Sequence, residues 1–178
     1  MSNHAAAEFE PLNMAVLTVS DTRTAANDTS GDLLAEKLQA AGHHLQAREL
    51  VRDDVYVLRA VISGWIADPA IQAVLVTGGT GLTGRDSTPE ALLPLFDKTV
   101  GGFGELFRHL SLADIGTATV QSRALAGLAN RTLVFCLPGS TGACRLAWEG
   151  ILAEQLNSQT RPCNFVPHVR APKEAAHG

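Results

Sequence analysis

At 178 residues, with 46% hydrophobic and 18% charged residues, the chain fits one domain with a substantial core and is too apolar for a disordered polypeptide. A net charge of −4 argues against the basic face that non-specific DNA or RNA binding uses, yet leaves room for a small anion held by local donors. No apolar run approaches the ~18 residues of a membrane span, and the first eleven residues lack a basic region followed by an apolar core, so neither membrane anchor nor secretory signal is expected.

Residues 1–12 read as a mobile arm, 13–160 as the folded domain, and 161–178 as a Pro-containing tail with little to pack. The tail beyond His168 is expected to be dispensable for ligand binding. Met14–Val19 is a continuous apolar run of strand length, followed by the polar loop Ser20–Asn27. Leu33, Leu34, Leu38 and Ala41 share one face of a helix over Gly31–Ala41, with Thr29 or Ser30 as cap and Gly42 as terminator. Leu45–Val51 is half polar, which suits a strand near an edge. His43 and His44 follow a helix end without a third ligand nearby and read as surface residues. Asp53 or Asp54 opens the next helix, where Val55, Leu58, Val61, Ile62, Trp65 and Ile66 repeat at helical spacing until Asp68-Pro69. Ile71–Thr77 is a third strand, then comes the glycine loop Gly78–Gly84, and Ser87-Thr88-Pro89-Glu90 starts a helix.

Strand–helix alternation predicts an α/β fold of three layers, a mostly parallel sheet with helices on both faces. Phe103–Leu110 reads as helical. Ser122–Leu128 and Thr132–Leu137, joined by Ala129-Asn130-Arg131, read as a hairpin that makes one strand antiparallel. A last helix spans Ala143–Leu156. Cys136, Cys144 and Cys163 contain no C-x-x-C pair, so no zinc ribbon or thioredoxin-type site is indicated. Their odd, sparse number suits a reducing, cytoplasmic setting. Cys136, Trp65 and Trp148 read as core.

The strongest local signal is Thr77-Gly78-Gly79-Thr80-Gly81-Leu82-Thr83-Gly84-Arg85-Asp86. It holds a G-x-G-x-x-G, but after the third strand, where a dinucleotide fingerprint belongs on the first. It also holds the G-x-x-x-x-G frame of a P-loop, with Arg85 and Asp86 where Lys and Ser/Thr are required. What survives is physical: small residues between a strand and a helix leave N–H groups free for an anion, although a tight turn with positive φ would use the same glycines. Leu137-Pro138-Gly139-Ser140-Thr141-Gly142 repeats that logic after another strand, either as ligand contact or as helix cap. Asp21, Asp53 or Asp54, and Asp86 each follow a strand. Singly they suit caps and turns; converging, they suit Mg²⁺.

In order and spacing, Leu17–Asp21, Asp28–Gly31, Thr77–Gly81 and Asp86–Ala91 resemble the MoaB/Mog family of molybdenum cofactor biosynthesis. Gly102–Glu105, Gln121–Ala124 and Leu137–Ser140 continue the match. Arg161–Phe165 with Pro167-His168 resembles the MoaB branch. The resemblance implies a trimer, in some members a hexamer, that binds molybdopterin and, in active members, adenylates it with Mg·ATP. It implies that Asp53 and Asp86 are the catalytic and Mg²⁺-holding carboxylates. Ser20, Asp21, Ser30, Gly78, Gly79, Thr80, Gly81, Gly139 and Ser140 are the expected ligand contacts, with Arg85 available to offset charge. Other cofactor-biosynthesis proteins are conceivable partners. A molybdopterin-binding scaffold without catalysis and, more distantly, a nicotinamide-dependent oxidoreductase are the alternatives.

Overall fold

A strand buried on both faces has no reason to alternate, and three strands here do not. The computed structural model describes residues 8–171. In it β1 (Asn13–Val19) is buried at every position after the first, and β3 (Ala73–Thr77) and β6 (Thr132–Leu137) are buried throughout. β2 (His44–Val51) is mostly exposed or half-buried and lies at one edge. The sheet order is β2-β1-β3-β6-β5-β4. β1, β2, β3 and β6 are parallel. β5 (Leu125–Ala129) runs antiparallel to β6 and to the two-residue β4 (Lys98–Thr99), so a single strand is reversed, as expected.

Strand residues of opposite parity feed opposite cores. Met14, Val16, Leu75 and Phe135 pack with Leu34 and Leu38 of α1 (Thr29–Ala40), Phe107 of α4 (Gly101–Ile115) and Ala147 of α5 (Thr141–Ala147). Ala15, Leu17, Val74 and Val76 pack with Leu58, Ile62 and Trp65 of α2 (Val55–Ala67) and with Ala91 and Leu92 of α3 (Thr88–Leu92). The result is three layers. Shortening Leu38, which is fully buried, to alanine is a cavity mutation of about 2–5 kcal/mol.

Several expectations need correction. The cap of α1 is Asp28, whose carboxylate accepts from the Gly31 N–H at 3.0 Å; Thr29 and Ser30 already lie inside the helix. β5 starts at Leu125, because 116–121 forms 3₁₀ turns ahead of it. The hairpin link is two residues, Asn130 (φ 47°) and Arg131 (φ 60°), the double positive φ of a type I′ turn that matches strand twist. The last helix begins at Thr141 and continues through a π-helical turn, Trp148–Leu152, into α6 (Ala153–Gln155).

His43 is not a surface residue. It is 4% exposed, its Nδ1 accepts from the Leu12 N–H at 3.1 Å, and its ring lies between Phe9 and Trp148. Residues 8–12, placed in the expected arm, are therefore tied down: Leu12 is core, and the Glu10 N–H donates to Ser158 Oγ. The expected tail packs too. Val166 and Val169 join the α1/α4 core, and Arg170 donates to the carbonyls of Ile66, Asp68 and Asn130 and to Thr132 Oγ1. A short apolar residue every third position was too weak a signal to reveal this. The arm before residue 8 and the tail after 171 lie outside the described residues.

Candidate functional site

Because β1, β3 and β6 are parallel and in register, Val19, Thr77 and Leu137 end at the same edge, and the loops after them share one crevice. The glycines there permit close approach. Gly78 has φ 101°, and a Cβ on it would run into the Val19 carbonyl oxygen. Gly79 has φ 65°, and a Cβ there would meet the side chains of Thr88 and Asp53. Gly139 stacks on the Gly78 backbone, its virtual Cβ 3.2 Å from the Gly78 Cα.

The start of α3 then orients the loop. Thr88 Oγ1 donates to the Gly78 carbonyl at 2.8 Å, and the Thr88 N–H donates to the Gly79 carbonyl at 3.0 Å. Across a trans peptide the N–H points opposite the C=O, so the N–H groups of Gly79 and Thr80 face away from Thr88. Neither donates to another group among the described residues. Both residues line a polar cavity of about 280 Å³ with Thr18, Ser20, Arg23, Gly81, Asp86 and Gly139. A second cavity, about 400 Å³, shares Thr80 and Gly81 as a wall. It is chiefly apolar, with Leu82, Phe107, Ile115, Pro138 and Leu146, and carries Ser140, Gln121 and Ser122 at its polar edge. The glycine loop is thus the partition between a polar pocket and a chiefly apolar one.

The carboxylates divide the labour. Asp54 caps α2, accepting from the N–H groups of Tyr56 and Val57. Asp53 is buried and turns the other way, accepting from the Ser87 N–H and from Ser87 Oγ. Burial pushes its carboxyl above the usual range, and the nearby charges of Asp86 and Asp21 add to that, against the Ser87 hydrogen bonds. Asp21 accepts from the Asp53 N–H at 3.1 Å and is gripped by both arms of Arg85. Asp86 Oδ2 accepts from Thr83 Oγ1 at 2.6 Å and from the Thr83 N–H at 3.0 Å, bonds that hold its carboxyl below the usual range. Among the described residues no three His, Cys, Asp or Glu side chains group tightly enough to hold a metal ion by themselves.

Of the expected ligand contacts, Ser20, Gly78–Gly81 and Gly139 line the polar cavity and Ser140 lines the apolar one. Ser20 Oγ also accepts from the Arg23 N–H, and Ser140 Oγ caps α5. Ser30 behaves differently: fully buried, it donates to the Gly139 carbonyl at 2.8 Å and ties α1 to that loop. Asp21 lines neither of these two cavities and is engaged by Arg85.

Three residues of this site were not anticipated. Thr88 sets the peptide planes. Arg123 donates to the carbonyls of Thr80 (3.0 Å) and Gly81 (2.6 Å) and pairs with Glu90, pinning the loop from its far side. Arg23 lines the polar cavity itself. Thr88 is visible in sequence only as a helix start. Arg123 follows the loop by about forty residues, and although it lies in the Gln121–Ala124 segment of the resemblance, nothing in the sequence links it to the loop.

These features define a three-layer α/β protein with a glycine loop at the carboxyl ends of the parallel strands of a mostly parallel sheet. A family profile described as a probable molybdopterin binding domain matches residues 15–158. The chain is 57% identical over 163 residues to molybdenum cofactor biosynthesis protein B of Escherichia coli (strain K12), spanning 92% of this chain and 96% of that one. A crystal structure of a molybdenum cofactor biosynthesis protein B superposes with TM-score 0.80 at 42% identity, covering 83% of this chain and 92% of that one. The tungsten cofactor synthesizing protein MoaB from Pyrococcus furiosus gives 0.72 at 38% identity, covering 82% and 92%. The chain belongs to the MoaB/Mog family of molybdenum cofactor biosynthesis proteins.

Proposed function

We propose that the chain binds molybdopterin and adenylates it with Mg·ATP, forming molybdopterin-AMP and releasing pyrophosphate. The observation that carries this reading is the pair of adjoining cavities divided by Thr80 and Gly81. The polar one offers two inward N–H groups to phosphate oxygens, and the apolar one offers walls to a heterocycle. In the reaction an oxygen of the pterin's terminal phosphate forms a bond to the ATP α-phosphorus as the bond to pyrophosphate breaks. Such a transfer needs positioning and stabilisation of charge rather than a covalent group from the protein. Gly79 and Thr80 amides hold phosphate oxygens, Arg123 and Thr88 keep those amides aimed, and the wall of Leu82, Phe107 and Leu146 excludes water from the ring.

Mg²⁺ fits the donor set. Asp53 is buried, disfavoured as an anion, and feels the charges of Asp86 and Asp21, so a cation shared between its carboxylate and the ligand's phosphates would be welcome there. A hard divalent cation relieves that repulsion and takes oxygen ligands. Asp53 and Asp86 would hold it, and bound there it would neutralise the phosphates. Self-association in multiples of three belongs to the same reading; light scattering that gave a monomer at micromolar concentration would oppose it.

The test is pyrophosphate release from purified protein with molybdopterin and Mg·ATP. Release dependent on both substrates is expected. Tight pterin binding with no release would leave the scaffold role in its place. Among the described residues no helix is long and apolar enough to cross a membrane.

A further inference from the structure

Three arginines lie at or near the glycine loop, and their partners differ. Arg85 has its fork filled by Asp21, with three contacts of 2.8–3.0 Å. Arg123 is spent on Glu90 and on the loop carbonyls. Arg23 is the one cation among the residues lining the cavity, and it is loosely held. Its guanidinium donates to Ser30 Oγ at 3.1 Å, to the Gly139 carbonyl at 3.4 Å and to Thr29 Oγ1 at 3.5 Å. The nearest carboxylate, Asp28, is 3.8 Å away. That carboxylate already accepts closer donors from Thr18 Oγ1 (2.8 Å), Arg48 (2.9 Å) and the Gly31 N–H (3.0 Å).

We infer that Arg23 is the anion-receiving side chain of this site: its guanidinium leaves Thr29 and the Gly139 carbonyl and closes on a phosphate group held by the Gly79 and Thr80 amides. The inference rests on the phosphate-pocket reading above and adds to it the residue that supplies positive charge. Arg85, the cation suggested by its place in the glycine motif, does not line the cavity and is turned to Asp21 instead. Long, off-optimal hydrogen bonds are weak, so giving them up costs little, whereas a guanidinium–phosphate fork gains charge-assisted bonds in a partly enclosed site. The structure also shows why the loop survives the exchange. Ser30 holds the Gly139 carbonyl independently at 2.8 Å, and Asp28 is satisfied without Arg23.

The experiment uses inorganic pyrophosphate as probe, with affinity measured by calorimetry on the full chain at low salt. Arg23→Ala should weaken binding by about tenfold or more, as loss of a charge-assisted pair does, with the melting temperature close to the parent's. Arg23→Lys, which keeps the charge without the fork, should fall between. Arg145→Ala removes a positive charge from exposed surface, where Arg145 faces Glu149, and should stay within about twofold of the parent. Should Arg23→Ala fold poorly, Arg23→Gln retains an amide donor for Gly139 and decides the matter by the same criterion. Parent-like affinity in the Arg23 variants, or an equal loss in Arg145→Ala, would overturn the assignment while leaving the anion pocket standing. A parent protein with no affinity for pyrophosphate would remove both the assignment and the pocket reading beneath it.

Discussion

The two ends of the sheet treat their polar groups in opposite ways. At the amino ends of the strands they close on one another. Gln72 Oε1 accepts from the Asn13 N–H and its Nε2 donates to the Arg170 carbonyl, both at 2.8 Å. His43 accepts from Leu12, and Ser158 bridges Glu8 and Glu10. At the carboxyl ends the same chemistry is arranged to leave something over. The Gly78 and Gly79 carbonyls are bound by Thr88 and the Thr80 and Gly81 carbonyls by Arg123, while the N–H groups of Gly79 and Thr80 find no acceptor among the described residues. Buried donors are ordinarily paired, and the two spared here, set between the engaged N–H groups of Gly78 and Gly81, are the ones the proposed function assigns to an external acceptor. The difference separates polar groups that staple a fold from polar groups that wait for a ligand, and each prediction below strikes one end or the other.

The largest effect is expected at Asp86. In Asp86→Asn the side-chain carbonyl can still accept from Thr83 Oγ1 and the Thr83 N–H, so the loop keeps its shape. The negative charge toward Mg²⁺ is lost. Adenylation should fall by about 10²–10³, with molybdopterin affinity nearly unchanged. Melting temperature, pterin affinity and pyrophosphate release on one preparation check this. Parent-rate adenylation across a range of Mg²⁺ concentrations would remove Asp86 from the chemistry. Loss of stability and binding together would make it a loop strut only.

The amino end answers to truncation. Ending the chain at His168 removes buried Val169 and the Arg170 guanidinium, which gathers Ile66, Asp68, Asn130 and Thr132. It also strips Gln72 Nε2 of its acceptor. A cost of about 3 kcal/mol in denaturant unfolding is expected from the lost burial and orphaned polar groups. A truncated chain as stable as the parent would show these contacts to be ornamental.

How much of this was legible in sequence follows from how local each signal is. β1, β3 and β6 announced themselves as unbroken apolar runs, and α2 as a repeat of six apolar positions, because core burial is written in periodicity. The glycine loop was legible as a tight strand-to-helix connection because positive φ and close approach demand glycine locally. Asp53 and Asp54 could not be told apart, since both precede the helix. Only the packing of α3 against α2, which brings Ser87 to Asp53, separates them. Arg23, Thr88 and Arg123 act across gaps set by sheet order, and His43 is buried by residues 8–12 rather than by its own neighbours in the chain. The packed stretch through Arg170 was hidden for the same reason: its partners are backbone carbonyls, which no side-chain pattern reports.

His43 allows a pH test of the amino end. Burial, with the adjacent His44 charge, lowers its pKa from 6.5 to about 4, consistent with an imidazole that must stay neutral to accept from Leu12. The unfolded chain binds a proton as pH drops through 6.5, while the native state resists until about 4. Stability from this group is therefore complete above 6.5 and is lost as pH falls from 6.5 toward 4. The loss should be on the order of 2 kcal/mol. His43→Gln keeps a polar side chain without that titration. Comparing unfolding free energies of parent and variant at pH 7 and pH 5 isolates the residue, and equal acid losses in both would show that His43 does not carry it.

The smallest effect belongs to Asp54, and it sharpens the division between neighbours at the carboxyl end. Asp54 accepts from the N–H groups of Tyr56 and Val57, which are among the unpaired donors of the first turn of α2. These bonds hold its carboxyl below the usual range, the opposite of Asp53. Asp54→Ala should cost about 1 kcal/mol, the ordinary loss of an N-cap, with pterin affinity and pyrophosphate release within about twofold of the parent. Asp53→Ala should do the reverse in proportion: Ser87 loses an acceptor, the cluster with Asp86 loses a charge, and turnover should suffer more than stability. Asp54→Asn is the finer instrument, because asparagine caps nearly as well as aspartate. It should restore stability while leaving activity where Asp54→Ala left it. If Asp54→Asn instead lowered pyrophosphate release sharply at unchanged stability, Asp54 would be a functional carboxylate, and the assignment of that role to Asp53 alone would fail.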